Sequence, residues 1–451
     1  MTVADIRIYQ SSKDSADRLS EKQSLQFGED IHGTEGQLLN VYEDAEFQTI
    51  EGFGGAFTEA AAVTLAKMSP AKQKEILNSY FNPETGNGYT LCRTHINSCD
   101  FSTGNYAYVD DAGDRELKTF SVARDEQALI PFIKAAKKVK GARFKLLASP
   151  WSPPAWMKTN GQMNRGGKLK KDCEAIWAKY FAKYIEAYAS RGIRIWGVSV
   201  QNEPKATQTW DSCVYTAEEE RDFVKNHLGP ILEAEGHGKV KILVWDHNKE
   251  RLFERAKVTF SDPEASRYTW GAGFHWYSGD HFEAIEATNR IFPRKKLLFT
   301  EGCSEGGVKL GAWHTAERYG HDMIGNLNHG AVGFIDWNML LDEQGGPNHV
   351  GNFCDAPVIA DTRNDQITYE SSFYYLGHFS RFIRPGAVRI GSSCYTHRLE
   401  TTAFKNKDGR IVVTVLNFTD NAIPFVLRKN ETMIAPTESP AHSLTTLIYE
   451  T

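Results

Sequence analysis

The sequence predicts a (β/α)₈ barrel with an attached β-sandwich formed from both ends of the chain, an α/β architecture spread over 451 residues. Three observations carry that expectation. Eight short apolar runs, each closed by a polar or aromatic residue, recur from residue 52 to residue 337. Helix-patterned stretches separate them, the rhythm of parallel βα units. Outside this region the chain shows strand patterns alone, so the expected divisions are 1–48, 49–384 and 385–451. Eight βα units in roughly 290 residues match a barrel in number and size.

In chain order, Ile6 to Tyr9 alternates and Leu38 to Tyr42 does so loosely, with no helix attached to either. The barrel runs are Gly52–Phe57, Tyr89–His95, Phe144–Trp151, Val198–Glu203, Val240–Trp245, Ala272–Tyr277, Lys296–Glu301 and Gly330–Trp337. Strands covered on both faces read as such continuous apolar runs. Between them, Ser69-Pro70 opens a helix with Pro in its first turn. Ala178 to Ile185 places apolar residues at helical spacing, and Thr216 to Glu219 is a capping-box pattern. Beyond 385, Thr401–Phe404, the turn Asn406–Gly409 and Ile411–Leu416 read as a β-hairpin, and Leu444–Tyr449 as a last strand. Neither chain end has enough strands to bury its own face, so one shared sandwich is expected.

Composition narrows function mainly by exclusion. The formal charge of −5 offers no footprint for nucleic acid or an anionic membrane. No apolar run is long enough to span a bilayer. Met1 to Arg7 shows no basic segment followed by an apolar one, so a cytoplasmic protein is expected, or a secreted one if a leader precedes this sequence. The seven cysteines show no C-x-x-C spacing and read as reduced. There is no H-E-x-x-H, no metal spacing among the histidines, no full dinucleotide fingerprint and no G-x-S-x-G elbow. Asp110, Asp111 and Asp114 lack EF-hand spacing and read as a solvated turn. No cofactor and no metal are expected; the oligomeric state is open.

The chemistry collects where the runs end. Barrel enzymes place their active residues at the carboxyl ends of the strands. The fourth run ends in Asn202-Glu203 with Pro204 stopping the strand, and the seventh ends in Glu301. Two glutamates facing one gap make an acid/base and nucleophile pair. Glu59, Arg93, Trp151, His275, Tyr277 and Trp337 stand at or just past other run ends. Polar groups for hydroxyls and aromatic faces for the apolar side of a ring describe a sugar pocket. Competing readings accompany several of them. Trp245 and Trp276 fit the core equally well, His275 reads as hydrogen-bonded structure before base, and Arg93 reads as an ion-pair partner that holds a glutamate in place.

Several longer motifs carry a resemblance. Gly52-Phe53-Gly54-Gly55-Ala56-Phe57-Thr58-Glu59-Ala60, Ser98 to Ser102, Leu147 to Pro154, His275-Trp276-Tyr277, Asp336-Trp337-Asn338, Gly345 to Asn348 and Leu376 to Ser380 occur in the order of glycoside hydrolase family 30. Across nearly its whole length the chain resembles that family's glucosylceramidase-like members. The resemblance implies a retaining mechanism with Glu203 as acid/base and Glu301 as nucleophile. It implies that Glu59, Trp151, Asn202, Tyr277, Trp337 and Asn352 line the subsite for the non-reducing sugar, with Arg93 and Cys303 beside the carboxylates. The chain departs from those members at Glu59, where they carry Asp, at Thr94-His95, and in a shorter Lys205–Tyr215 loop.

The expected activity is therefore double displacement on small β-glucosides or oligosaccharides. The alternatives are an endo- or exo-β-1,6-glucanase, a β-xylosidase or β-fucosidase, a transglycosylase using the same residues, or a non-catalytic carbohydrate-binding protein on the same scaffold. Double displacement further requires Glu301 ionised and Glu203 protonated, so the Glu203 pKa is expected to be raised by its negative neighbour.

Overall fold

The computed structural model describes residues 5–450. Its centre is a closed barrel of eight parallel strands, β1 (Gly52–Phe57), β2 (Leu91–Ile96), β3 (Lys145–Pro150), β4 (Gly197–Ser199), β5 (Lys241–Asn248), β6 (Thr269–His275), β7 (Lys296–Glu301) and β8 (Ala331–Asn338). All eight anticipated runs are strands, displaced at their ends by a few residues. The largest shift is in β4, which spans three residues and stops well short of Glu203.

Close backbone approach explains the glycines of β1. A Cβ on Gly54 would lie 1.9 Å from the Leu91 carbonyl oxygen of β2, so only glycine lets these strands pack at that distance. Leu91, Leu147, Leu243, Leu298, Val332 and Ile335, from five strands, form a small buried cluster. Side chains thus fill the barrel interior, as expected of a packed core.

The anticipated helices are present. Ser69 accepts from the Lys72 amide and opens Pro70–Phe81. The capping box at Thr216 is complete, with both reciprocal bonds to Glu219. Ala178 to Ile185 lies inside Glu174–Ser190.

The sandwich strands come from both chain ends. Asp5–Ser12 pairs with Ser443–Glu450, and Leu38–Thr49 pairs with Val388–Cys394. The expected hairpin is Leu399–Lys405 and Arg410–Asn417, antiparallel through its length. Ile6, Ile8, Leu39 and Val41 share one apolar core with Ile390, Val413, Phe425 and Leu447. Helix Ser371–Ser380 is not prominent in the sequence pattern, and it joins the two bodies. Its buried His378 faces the Thr446 hydroxyl at 2.8 Å through Nδ1 and the Ser11 hydroxyl at 3.0 Å through Nε2. No helix among the described residues is long and apolar enough to cross a membrane.

Candidate active site

Four strand ends converge on one buried cation. Arg93, on β2, is fully buried, so each donor it fails to place would be costly. A guanidinium has five N–H donors. Nε reaches Ser149 at 3.0 Å, Nη1 reaches Glu301 at 2.6 Å and the Thr300 carbonyl at 3.3 Å, and Nη2 reaches Asn202 at 2.8 Å and Asp246 at 2.7 Å. Every donor has an acceptor. Trp151 and Trp337 stack at 5.0 Å beside it, with the guanidinium carbon 4.9 and 5.6 Å from their ring centroids. Arg93 therefore fixes Glu301 and Asn202 together, in the ion-pair role read from its position.

Glu301 closes β7, and its other carboxylate oxygen accepts from the Tyr277 hydroxyl at 3.0 Å. Glu203 sits in a bend beyond β4, with φ of 50°, in the left-handed region that costs a non-glycine residue roughly 1–3 kcal/mol. Its amide donates to the Asp246 carbonyl at 3.0 Å, and Asp246 has a φ of 54°. Strain at both residues turns their side chains toward the barrel axis. His275, the last residue of β6, bridges them: Nδ1 lies 3.2 Å from Glu203 and Nε2 lies 3.0 Å from Asp246. Oxygens of Glu203 and Glu301 and a His275 nitrogen lie within 4.8 Å of one another. A divalent cation could also be held at that spacing, although Arg93 and His275 already bring positive charge to the same point.

The electrostatics correct one expectation. Burial pushes the Glu203 carboxyl up, but His247 and His275 outweigh it and hold the group below its ordinary value. Burial pushes Glu301 up, and neither His275 nor Arg93 fully offsets that. The expected order, with Glu203 the raised carboxyl, is thus reversed in the free site, because two imidazoles flank Glu203. His275 itself is pushed up to about 9: burial opposes the charge, and Glu301, Asp246 and Glu203 more than restore it. Asp246, though fully buried, is held far below the usual carboxylate range by Arg93 and His275.

The cavity over the carboxylates has a volume of about 160 Å³. Trp151, Asn202, Tyr277, Trp337 and Asn352 line it together with Glu203 and Glu301, so the structure brings these seven sequence-derived residues to one place. Arg93 and His275 lie behind them. Glu59 does not line the cavity. Its carboxylate is taken by Arg124 at 2.8 Å and by the Thr103 amide at 2.8 Å, which tie helix Glu59–Lys67 to the loop following β2.

Sequence reasoning placed Asp246 at the barrel mouth without its anchoring role, and singled out neither His247 nor Asp100 as a site residue. Asp246, directly after the Val240–Trp245 run, anchors the network, and His247 beside it reaches to 3.9 Å from Glu203. Asp100 lines the cavity, accepts from Asn352 at 3.2 Å, and is pushed up to about 8 by burial and the Glu301 charge. The signal for Asp100 was its place in the Ser98–Ser102 motif. Asp246 ends its run visibly, but nothing local marks it as buried.

Comparison with known proteins agrees with the architecture. Residues 50–383 match the glycosyl hydrolase family 30 TIM-barrel domain, and residues 386–447 match the family 30 beta sandwich domain. The lysosomal acid glucosylceramidase of Mus musculus is 39% identical over 92% of this chain and 84% of its own length. The crystal structure of SrfJ from Salmonella typhimurium is 41% identical with a TM-score of 0.95, covering 99% of this chain and 100% of that one. The endo-beta1,6-glucanase BT3312 is 28% identical with a TM-score of 0.89 over the same shares.

Proposed function

The chain belongs to glycosyl hydrolase family 30 and is a glycoside hydrolase, and from that premise we propose that it cleaves β-glucosidic bonds with retention of configuration. The observation that carries the proposal is the spacing of Glu203 and Glu301, whose oxygens approach within 4.8 Å. Retaining enzymes hold their carboxyls about 5–5.5 Å apart, whereas inverting ones leave roughly 6.5–9.5 Å for a water.

Glu301, oriented by Arg93 and Tyr277, attacks the anomeric carbon. Glu203 protonates the leaving oxygen and then accepts a proton from water. In the free site the proton for that step rests on His275, whose Nδ1 faces Glu203 at 3.2 Å. An uncharged sugar displaces water and disfavours the separated charges, so the proton passes to Glu203 as substrate seats. Asn202, held by Arg93, takes the 2-hydroxyl, and Trp151 and Trp337 face the ring.

The glucoside reading is supported by the mouse relative's name and by a cavity of about 160 Å³, below the range for drug-sized ligands and suited to one ring. The likeness to an endo-beta1,6-glucanase keeps a β-1,6-glucan as the second reading. Glu301→Gln removes turnover of aryl β-glucosides. Glu203→Gln slows substrates with poor leaving groups by about 10²–10⁴-fold and those with good ones far less, the pattern of a lost general acid. Wild-type rates in either variant would remove the assignment. Gentiobiose set against a glucosylceramide then separates the substrate readings.

A further inference from the structure

A cavity of about 690 Å³ opens at the other end of the barrel, where β7 and β8 begin and the sandwich strands Leu38–Thr49 and Val388–Cys394 pass. Arg290, Lys295, Lys296 and Arg389 line it against a single lining carboxylate, Glu286. None of the four cations lies within ion-pair distance of a carboxylate among the described residues. In a chain of net charge −5 that is a local excess with no general cause.

Lys295 is tied to the carbonyls of Ser266 and Thr269, so its position is structural. Arg389 is different. It is 9% exposed, yet Nε alone has a partner among the described residues, Gln48 at 3.1 Å. Its flat face lies 3.6 Å from the centre of the Phe47 ring, which fixes the direction of the remaining N–H donors. A nearly buried guanidinium with that fork unfilled is what a site for a tetrahedral oxyanion requires. Burial pulls the Arg389 pKa down to about 10, and no carboxylate among the described residues offsets it.

We propose that this seam cavity binds a small phosphate ester, with its phosphate on Arg389, Arg290 and Lys296. The half-exposed Phe47 and the amides of Asn289 and Asn328 would meet its organic part. The site lies on the opposite face from Glu203 and Glu301 and does not depend on the activity assigned to them.

Calorimetric titration with pyrophosphate at constant ionic strength tests this. The expected result is saturable one-site binding, with Arg290→Gln/Lys296→Gln weakening it by about tenfold or more, the size of one lost charge-assisted hydrogen bond. Arg290 is exposed and Lys296 is half-buried at the start of β7, so an unchanged Tm of the double variant in the absence of ligand is measured alongside to show that the fold is kept. Arg389→Gln should abolish binding. Equal heats from the double variant and the parent, or heats reproduced by chloride at the same ionic strength, would overturn the site. So would binding to phosphatidic acid vesicles without binding to pyrophosphate, since that would place the phosphate on a membrane.

Discussion

At the scale of single residues, Arg93 and the carboxylates around it hold the site together. With all five donors engaged and the side chain fully buried, no shorter or differently shaped cation can replace it. Arg93→Met should cost on the order of 3–5 kcal/mol in denaturant unfolding, since it strands Asp246 and Glu301 as buried charges. Arg93→Lys should recover a minor part of that, and a loss under about 1 kcal/mol for Met would contradict the network described. This residue was legible in the sequence only as an ion-pair partner. Asp246 was not legible as the anchor, because a lone Asp after an apolar run reads as a solvated strand end. Its burial follows from Arg93, Ser199, Thr300 and His275 arriving from four other strands. Glu59 stands apart from the others, outside the cavity lining. A carboxylate just past a barrel strand reads as a sugar ligand, and its pairing with Arg124 follows from tertiary position alone.

At the scale of elements, apolar runs and caps located the barrel and its helices well, since buried parallel strands carry their signature along their own length. Removing the capping box by Thr216→Ala should cost about 1 kcal/mol, measured as a shift in denaturant midpoint with unchanged slope. Gly54→Ala should cost several times more, because its methyl cannot coexist with the Leu91 carbonyl 1.9 Å away unless β1 and β2 part. Normal yield and stability in that variant would show that the two strands are less closely held than described. The short β4 was harder to read. An apolar run continues past its last paired residue to Val200, and regular pairing ends there although the Val200, Asn202 and Glu203 amides still bond to carbonyls of the neighbouring strands. Glu203 consequently reaches the site from a strained bend, with Pro204 fixing the chain behind it.

At the scale of the whole molecule, both chain ends and the barrel meet at His378. Burial holds this imidazole down at about 3, against 6.5 for the free side chain. The unfolded chain therefore binds a proton that the folded one does not between those values. Stability is fully present above pH 6.5 and is lost as the pH falls toward 3, by on the order of 5 kcal/mol. Unfolding measured from pH 7 to pH 4 should show this fall, and His378→Gln should flatten it. An equal fall in the variant would assign the acid sensitivity elsewhere. That the sandwich draws strands from both ends was readable from the shortage of strands at each. Its junction with the barrel was not, because His378 pairs with hydroxyls at positions 11 and 446, too far apart in sequence for any local pattern to register.

We propose that Glu203 and Glu301 act on one anomeric carbon through a covalent intermediate. The most direct test is proton NMR of the first sugar released from an aryl β-glucoside, recorded before mutarotation. The β-anomer should appear first; if the α-anomer leads, a water stands between the carboxylates and the double-displacement account is wrong.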